Sequence, residues 1–314
     1  MPRIITNLSS HRGFSIEEFK KKCNKILINM NCGGLGDVFI HRMIFEDIKL
    51  LMPNINITFA CAKEYHPAIE DHPYIDNLED SEKVNKNDFL VYYQTGKVCT
   101  DYEMKISPFS NLHRSDIIAD YLGLELTKHQ MHINLDNKYI KQANEKLSNK
   151  KIKFAICPVS GISSKNITIN QIKLIKEKID FLGGYLYCIH NKFIKEIHDL
   201  GIPIWNNLSI KEWMGALSAA DYVISVDTAA FHYCGGINKP LLGIFSFTDG
   251  KVYGKYYDFI LVQKHRDDGN WDCGPCYKWT SCPKTSNNLK PCISEITDEM
   301  ILNGIDSLVK KYKI

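Results

Sequence analysis

No stretch of this sequence is apolar for long enough to cross a membrane, which takes about 20 residues in a helix. Residues Met1 to Lys22 are polar and lack the apolar core of a signal peptide. A cytoplasmic protein without a transmembrane segment is expected, with peripheral membrane contact left open. An excess of one charge is missing as well. Lys and Arg number 39 against 36 Asp and Glu, a net of +3, and the lysines are interleaved with acids. No basic stripe tracks a duplex, so no stable nucleic-acid partner is expected. Solenoid repeats and low-complexity tracts are absent too, which excludes repeat arrays and biased disordered chains. What remains is a chain with 44% hydrophobic and 24% charged residues, the balance of a folded globular protein. Its 314 residues suit two domains better than one.

Strand-like and helix-like segments alternate, the pattern of an α/β protein. Lys25 to Met30, Asn56 to Ala60 and Asp88 to Tyr92 read as strands of a first half. A helical pattern runs from Asp37 to Leu51, and further helices are expected over Arg114 to Leu122 and Asn137 to Leu147. A second series starts at the strand Lys153 to Cys157. It continues with a helix over Asn170 to Ile179, a strand over Gly184 to Ile189, a helix over Ile210 to Ala219, and strands over Tyr222 to Val226 and Pro240 to Phe245. The lysine- and asparagine-rich stretch Lys141 to Lys151 sets the expected boundary, giving domains 1–150 and 151–314. Each reads as a doubly wound, Rossmann-like domain, and the two would face each other across a cleft lined by loops at the strand C-termini. A terminal helix, Thr297 to Tyr312, is expected to cross back onto the first half.

Three of those loops carry the chemistry. The strand Tyr222 to Val226 runs into Asp227-Thr228-Ala229-Ala230-Phe231-His232, where a helix is expected to open. A strand feeding a helix N-terminus presents backbone N–H groups and the positive dipole end, which suits a phosphate. The plainer reading is that Asp227 and Thr228 only cap the helix. The strand Lys153 to Cys157 leads into Pro158-Val159-Ser160-Gly161-Ile162-Ser163-Ser164-Lys165. There small residues let amides approach phosphate oxygens, and Lys165 adds a mobile cation. The first strand leads into Gly33-Gly34-Leu35-Gly36-Asp37, but Phe39 stands where a dinucleotide fingerprint needs its third glycine, and Cys61-Ala62 stand where it needs a ribose-binding acid. A nicotinamide enzyme is disfavoured. The glycines instead set Asp37 at a helix start, either as a cap or as a base for an acceptor hydroxyl. Among His41, Arg42, His66, His113 and Arg114, the two residues singled out for an acceptor pocket are Arg42 and His113.

Four of the eleven cysteines crowd into one segment, Cys273-x2-Cys276-x5-Cys282-x9-Cys292. The others lie in apolar contexts such as Cys61, Cys157 and Cys188, as buried small hydrophobes do. A disulfide framework does not suit a cytoplasmic chain. The alternatives for the four are a structural four-thiolate metal site, zinc by default, or reduced thiols or opportunistic disulfides in a surface hairpin. Trp271, Tyr277 and Trp279 flank them, for stacking on a sugar or for packing the loop.

Taken in order, these segments resemble the family 9 glycosyltransferases of the GT-B type, the lipopolysaccharide heptosyltransferases. Gly34-Leu35-Gly36-Asp37-Val38 matches their G-x-G-D-V, and Pro158 to Lys165 their small-residue loop ending in lysine. Ser225 to His232 matches most of S-x-D-T-G-x-x-H, and the cysteines with Pro275 and Pro283 match the tail of members related to the second heptosyltransferase. The resemblance runs from residue 25 to about 310. It implies an inverting, metal-independent transferase that moves a sugar, heptose foremost, from a nucleotide-diphosphate sugar such as ADP-heptose to a glycan, lipid-linked saccharide or protein hydroxyl. In it Asp37 is the general base and Lys165 neutralises the diphosphate. Gly36, Ser160, Gly161, Asp227, Thr228, Ala229, Ala230 and His232 complete the donor site. No catalytic cofactor is implied, and iron joins zinc as a candidate for the cysteine loop. The chain departs from the pattern at Ala229, where the family has glycine, at Asn166-Ile167, where an aromatic often follows the lysine, and at Cys234-Gly235, where it has two alanines. The competing readings are a non-catalytic glycan- or nucleotide-binding module on the same fold, and transfer to a modified nucleobase.

Overall fold

The structure, a computed structural model, describes residues 24–107, 110–264, 275–277 and 291–313. These residues divide into two compact units, the first running to Ile106 and from Ser110 to Asn134, the second from Leu135 onward and including Ser107.

The first unit carries β1 (Lys25–Asn29), α1 (Leu35–His41), α2 (Phe45–Leu51), β2 (Asn56–Cys61), β3 (Asn77–Asp80), β4 (Val91–Gln94), α3 (Val98–Ile106) and α4 (Arg114–Leu122). Its four strands are all parallel, in the order β3-β2-β1-β4. Strand β1 reads Ile26-Leu27-Ile28, buried throughout, as a strand covered on both faces must be. The single helix expected over Asp37 to Leu51 is two helices, because the Arg42 carbonyl accepts a hydrogen bond from His72 Nε2 at 2.9 Å instead of continuing the helical ladder. The fourth strand begins at Val91, later than expected.

The second unit continues with α5 (Asn137–Lys146), β5 (Lys153–Cys157), α6 (Ile169–Phe181), β6 (Tyr185–Ile189), α7 (Lys195–His198), β7 (Ile204–Trp205), α8 (Ile210–Ala219), β8 (Tyr222–Val226), α9 (Ala229–Gly236), β9 (Leu241–Ile244), α10 (Gly250–Tyr253), β10 (Ile260–Val262), α11 (Pro291–Ser294) and α12 (Asp298–Tyr312). Its six parallel strands run β10-β9-β8-β5-β6-β7. Capping boxes start two of the helices, Thr168 with Gln171 on α6 and Ser209 with Glu212 on α8. The boundary near residue 150 moves to Leu135, because α5 packs along α8. Gly215 permits that approach, since a Cβ there would stand 2.6 Å from the Tyr139 carbonyl oxygen. Helix α12 seats Ile301, Ile305 and Leu308 in the same core as Phe154, Ile156 and Leu242. The helix expected to cross back thus buries its apolar face in the second unit.

Candidate functional site

Strand order fixes where the second unit's loops meet. Strand β5 has β6 on one side and β8 on the other, so the chain reverses direction between β5 and β8. At such a switch point the loops leaving two adjacent strands part and open a crevice at their C-terminal ends. The loop after β5 ends in Lys165, and the residue after β8 is Asp227. Their side chains meet as a buried ion pair, Lys165 Nζ to Asp227 Oδ2 at 2.7 Å. A third loop, after β9, adds Thr248, whose hydroxyl donates to Asp227 Oδ2 at 2.7 Å, and Phe247, whose ring lies 5.9 Å from Lys165 Nζ. Burial works against the Asp227 carboxylate. The charges of Lys165 and His232 and the hydrogen bonds from Lys165 and Thr248 outweigh it and hold the group below its ordinary range.

Asp227 is therefore no helix cap. Thr228 stands at the N-cap of α9 in extended geometry, φ −154°, and its side chain makes no capping hydrogen bond. The first turn, Ala229 and Ala230, opens the helix just after β8, and a helix N-terminus suits an anion. Ser160 spends its groups inside its own loop, its amide donating to Asn166 Oδ1 and its hydroxyl to the Ile162 carbonyl. Gly161 is exposed, with open space where a Cβ would stand. Among the described residues the buried Ser164 hydroxyl has no partner, while the Ser246 hydroxyl donates to the Ser164 carbonyl.

His232 is packed among rings, with Phe231, Tyr253 and Tyr257 around it, and its Nδ1 lies 3.2 Å from the Tyr257 hydroxyl. The departure at Gly235 has its cause here, because a Cβ at that position would meet the Tyr257 ring at 2.4 Å. The glycine makes room for the ring that holds His232.

In the first unit the switch point lies between β1 and β4. Gly33 turns the chain with φ +129°, a conformation that favours glycine, and Asp37 follows in the first turn of α1. Its Oδ2 accepts the Gly34 amide at 2.8 Å, and its Oδ1 accepts Arg114 Nη1 at 2.7 Å. Arg114 also docks bidentately on Glu103, which is 1% exposed. His41 Nδ1 donates to the Asp37 carbonyl at 2.7 Å, leaving Nε2 to accept from the Thr95 hydroxyl at 2.8 Å. Burial lowers the His41 pKa, with the opposing pull of Asp37 the lesser effect, so the ring is neutral. Asp37, His41, Thr95, Gly96, Lys97 and Thr100 line a pocket of about 370 Å³, within the usual size of a small-molecule site.

The two residues expected in an acceptor pocket serve the fold instead. Arg42 is fully buried and donates to the carbonyls of Ala68, Met131 and His132 and to both oxygens of Asp71. His113 is the N-cap of α4, its Nδ1 accepting the Ser115 amide at 3.1 Å. Gly36, grouped with the donor residues from the sequence, lies in α1 of the first unit. Sequence reasoning named Arg114 among the acceptor-pocket candidates without selecting it, and missed Glu103, Thr95, Thr248 and Phe247. The last two follow directly on a strand next to the switch point, which was the available signal. Cys273 and Cys282, with Trp271 and Trp279, lie outside the described residues. Cys276 and Cys292 are half-buried thiols, and among the described residues no three His, Cys, Asp or Glu side chains come together as metal ligands. Tyr277 is fully buried and stacks on Tyr253, so it packs the unit and presents no sugar-stacking face.

No protein-family model and no curated protein matches the sequence. Solved structures do match. A family 9 glycosyl transferase from Veillonella parvula superposes with a TM-score of 0.66 at 13% identity, over 92% of this chain and 97% of the other. The iron-containing dodecameric glycosyltransferase TibC from enterotoxigenic E. coli gives 0.69 at 15% identity, over 92% and 77%. This chain has the fold of glycosyltransferase family 9. The ADP-heptose heptosyltransferase II of E. coli gives 0.63 at 10% identity, over 93% and 100%. Each of these likenesses covers more than nine-tenths of this chain and so takes in residues of both units. No helix among the described residues is long and apolar enough to cross a membrane.

Proposed function

We propose that this protein is an inverting glycosyltransferase that transfers a heptose from ADP-heptose to a hydroxyl on a glycan, a lipid-linked saccharide or a protein. The observation that carries this reading is the buried Lys165–Asp227 pair beneath the uncapped N-terminus of α9. A departing nucleoside diphosphate needs positive charge on its leaving oxygens; the N-terminus of α9, and the Lys165 ammonium once it exchanges Asp227 for the phosphate, supply it without a catalytic metal. Asp227 and Thr248 offer acceptors and donors for sugar hydroxyls. Asp37 takes the proton of the acceptor hydroxyl as its oxygen bonds to the anomeric carbon and the bond to the diphosphate breaks. A single displacement of this kind inverts the anomeric configuration. Two structurally similar proteins support the donor, since TibC was solved with ADP-D-β-D-heptose and the E. coli heptosyltransferase WaaC with ADP-2-deoxy-2-fluoro heptose.

The reading includes a structural zinc or iron on Cys273, Cys276, Cys282 and Cys292, four thiols forming a donor set suited to either metal. Metal content of the purified protein, compared with Cys276→Ser, decides that part.

The donor is tested by thermal unfolding with ADP-, UDP-, GDP- and CDP-sugars. A sugar nucleotide at about 100 times its dissociation constant adds about 2.7 kcal/mol. A shift with ADP-heptose that the double variant Lys165→Met/Asp227→Asn abolishes is the expected result. A shift without any turnover would favour a binding module, and flat traces with every nucleotide would remove the transferase reading.

A further inference from the structure

Two carboxylates share one arginine behind the first-unit pocket, and they share it unequally. Arg114 gives Nε and Nη2 to the two oxygens of Glu103, each at 2.8 Å, and only Nη1 to Asp37, at 2.7 Å. Glu103 sits on α3 with 1% of its side chain exposed, Arg114 at the start of α4 with 11%, and Asp37 on α1 with 28%. A bidentate pair fixes the guanidinium plane, so the third nitrogen is aimed by Glu103. The other Asp37 oxygen is held by the Gly34 amide. Asp37 lines the pocket with 28% of its side chain exposed, so a hydroxyl bound there can reach its carboxylate.

The charge balance matters as much as the geometry. An arginine facing Asp37 alone would orient it and also weaken it as a base. Here Glu103 pairs bidentately with the guanidinium, so the arginine that orients Asp37 is itself charge-paired. Neutral His41 on the same helix adds no charge. Tyr65 and Cys99 also feel the Asp37 charge, and Lys97 and Asp101 line the same pocket.

We propose that Arg114, gripped by Glu103, is a positioning residue that holds the Asp37 carboxylate at the pocket wall in the orientation that receives the acceptor's proton. The proposal rests on Asp37 being the base.

The test compares Glu103→Gln, Arg114→Gln and the double variant, using ADP release from ADP-D-β-D-heptose as a function of pH, with Asp37→Asn as reference. Glu103→Gln leaves the arginine charge uncompensated and should move the acid limb of kcat to lower pH. Arg114→Gln leaves a second negative charge beside Asp37 and should move it to higher pH. Each shift is on the order of half a unit to one unit. In the double variant the limb returns towards its original place while kcat falls about ten- to a hundredfold, because orientation is lost without a change of net charge. A role in stability alone produces no such opposite pair. Should Arg114→Gln fail to fold, Glu103→Gln and the double variant carry the comparison.

An Asp37→Asn variant that is inactive, alongside limbs that stay put and an undiminished kcat in the double variant, overturns the positioning role and leaves the base in place. Turnover that survives Asp37→Asn removes the base and the proposal with it. Carbon NMR of the aspartate carboxyls reports the same opposite movements for Asp37 without any turnover. Identical titration in all variants overturns the proposal even if no ADP is released.

Discussion

Lys165 and Asp227 neutralise one another inside the second unit, Nζ to Oδ2 at 2.7 Å with both side chains buried. An ion pair withdrawn from water owes its stability to its geometry, and losing one partner strands the other charge. Lys165→Met should therefore cost about 3–5 kcal/mol, and adding Asp227→Asn should recover much of it. Denaturant unfolding of the two single variants and the double measures this coupling. Additive effects would mean that the pair contributes nothing beyond its separate side chains.

The same pair sets an acid limit. Asp227 titrates below its ordinary value of 3.8 in the folded protein and near it when unfolded. Its contribution is complete above about pH 4 and is lost as the pH falls through the folded value. Asp227→Asn should flatten the low-pH end of a stability profile, as followed by thermal unfolding from neutral pH downward.

His72 acts at milder acidity. Burial, and after it the charge of Arg42, lower its pKa to about 3 from 6.5. The folded protein therefore binds a proton less readily than the unfolded chain, and stability declines as the pH falls from about 6.5 towards 3. The slope is at most about 1.4 kcal/mol per pH unit. Its Nε2 donates to the Arg42 carbonyl, a bond that a glutamine can imitate. His72→Gln should reduce the loss of stability between pH 6 and 4, and an unchanged profile would show that other groups govern it.

Arg42 gives the clearest separation of folding from function. Removing its guanidinium leaves the Asp71 carboxylate with only the Asn134 amide among the donors seen here and takes a donor from three carbonyls, and Arg42→Met should cost about 3 kcal/mol or more. Sugar-nucleotide binding at the second-unit site should survive, as read by calorimetry at a temperature where the variant is folded. An Arg42→Lys variant of full stability that lost turnover would return the residue to the acceptor site.

Gly235→Ala places a methyl group 2.4 Å from the Tyr257 ring. Overpacking of this kind costs about 1–3 kcal/mol, and Tyr257→Leu in the same chain should relieve most of it. Denaturant midpoints of the single and double variants supply the comparison. A Gly235→Ala variant as stable as the original chain would mean that the ring moves aside freely.

Much of the scaffold was legible in the sequence. Strands β5 and β8 and helices α4 and α8 were expected with the bounds they have, because apolar runs, helical spacing and capping residues act over a few neighbouring positions. The same local chemistry singled out Asp37, Lys165 and the turn after β8 as candidate ligand-binding positions. Where the local signal was overruled, the cause lay far along the chain. The helix after β1 is divided by a hydrogen bond from His72, and Arg42 was drawn into the interior by Asp71, Met131 and His132.

The sequence alone determined the order of elements, the two parallel-sheet units, and which loops hold small, charged or capping residues. Tertiary structure alone decided the partners: Lys165 with Asp227, Arg114 with Glu103 and Asp37, Tyr257 with His232. A charged side chain's partner depends on which strands lie side by side and which loops leave their ends together. Strand order is set by packing the whole sheet, and no short window of sequence contains it.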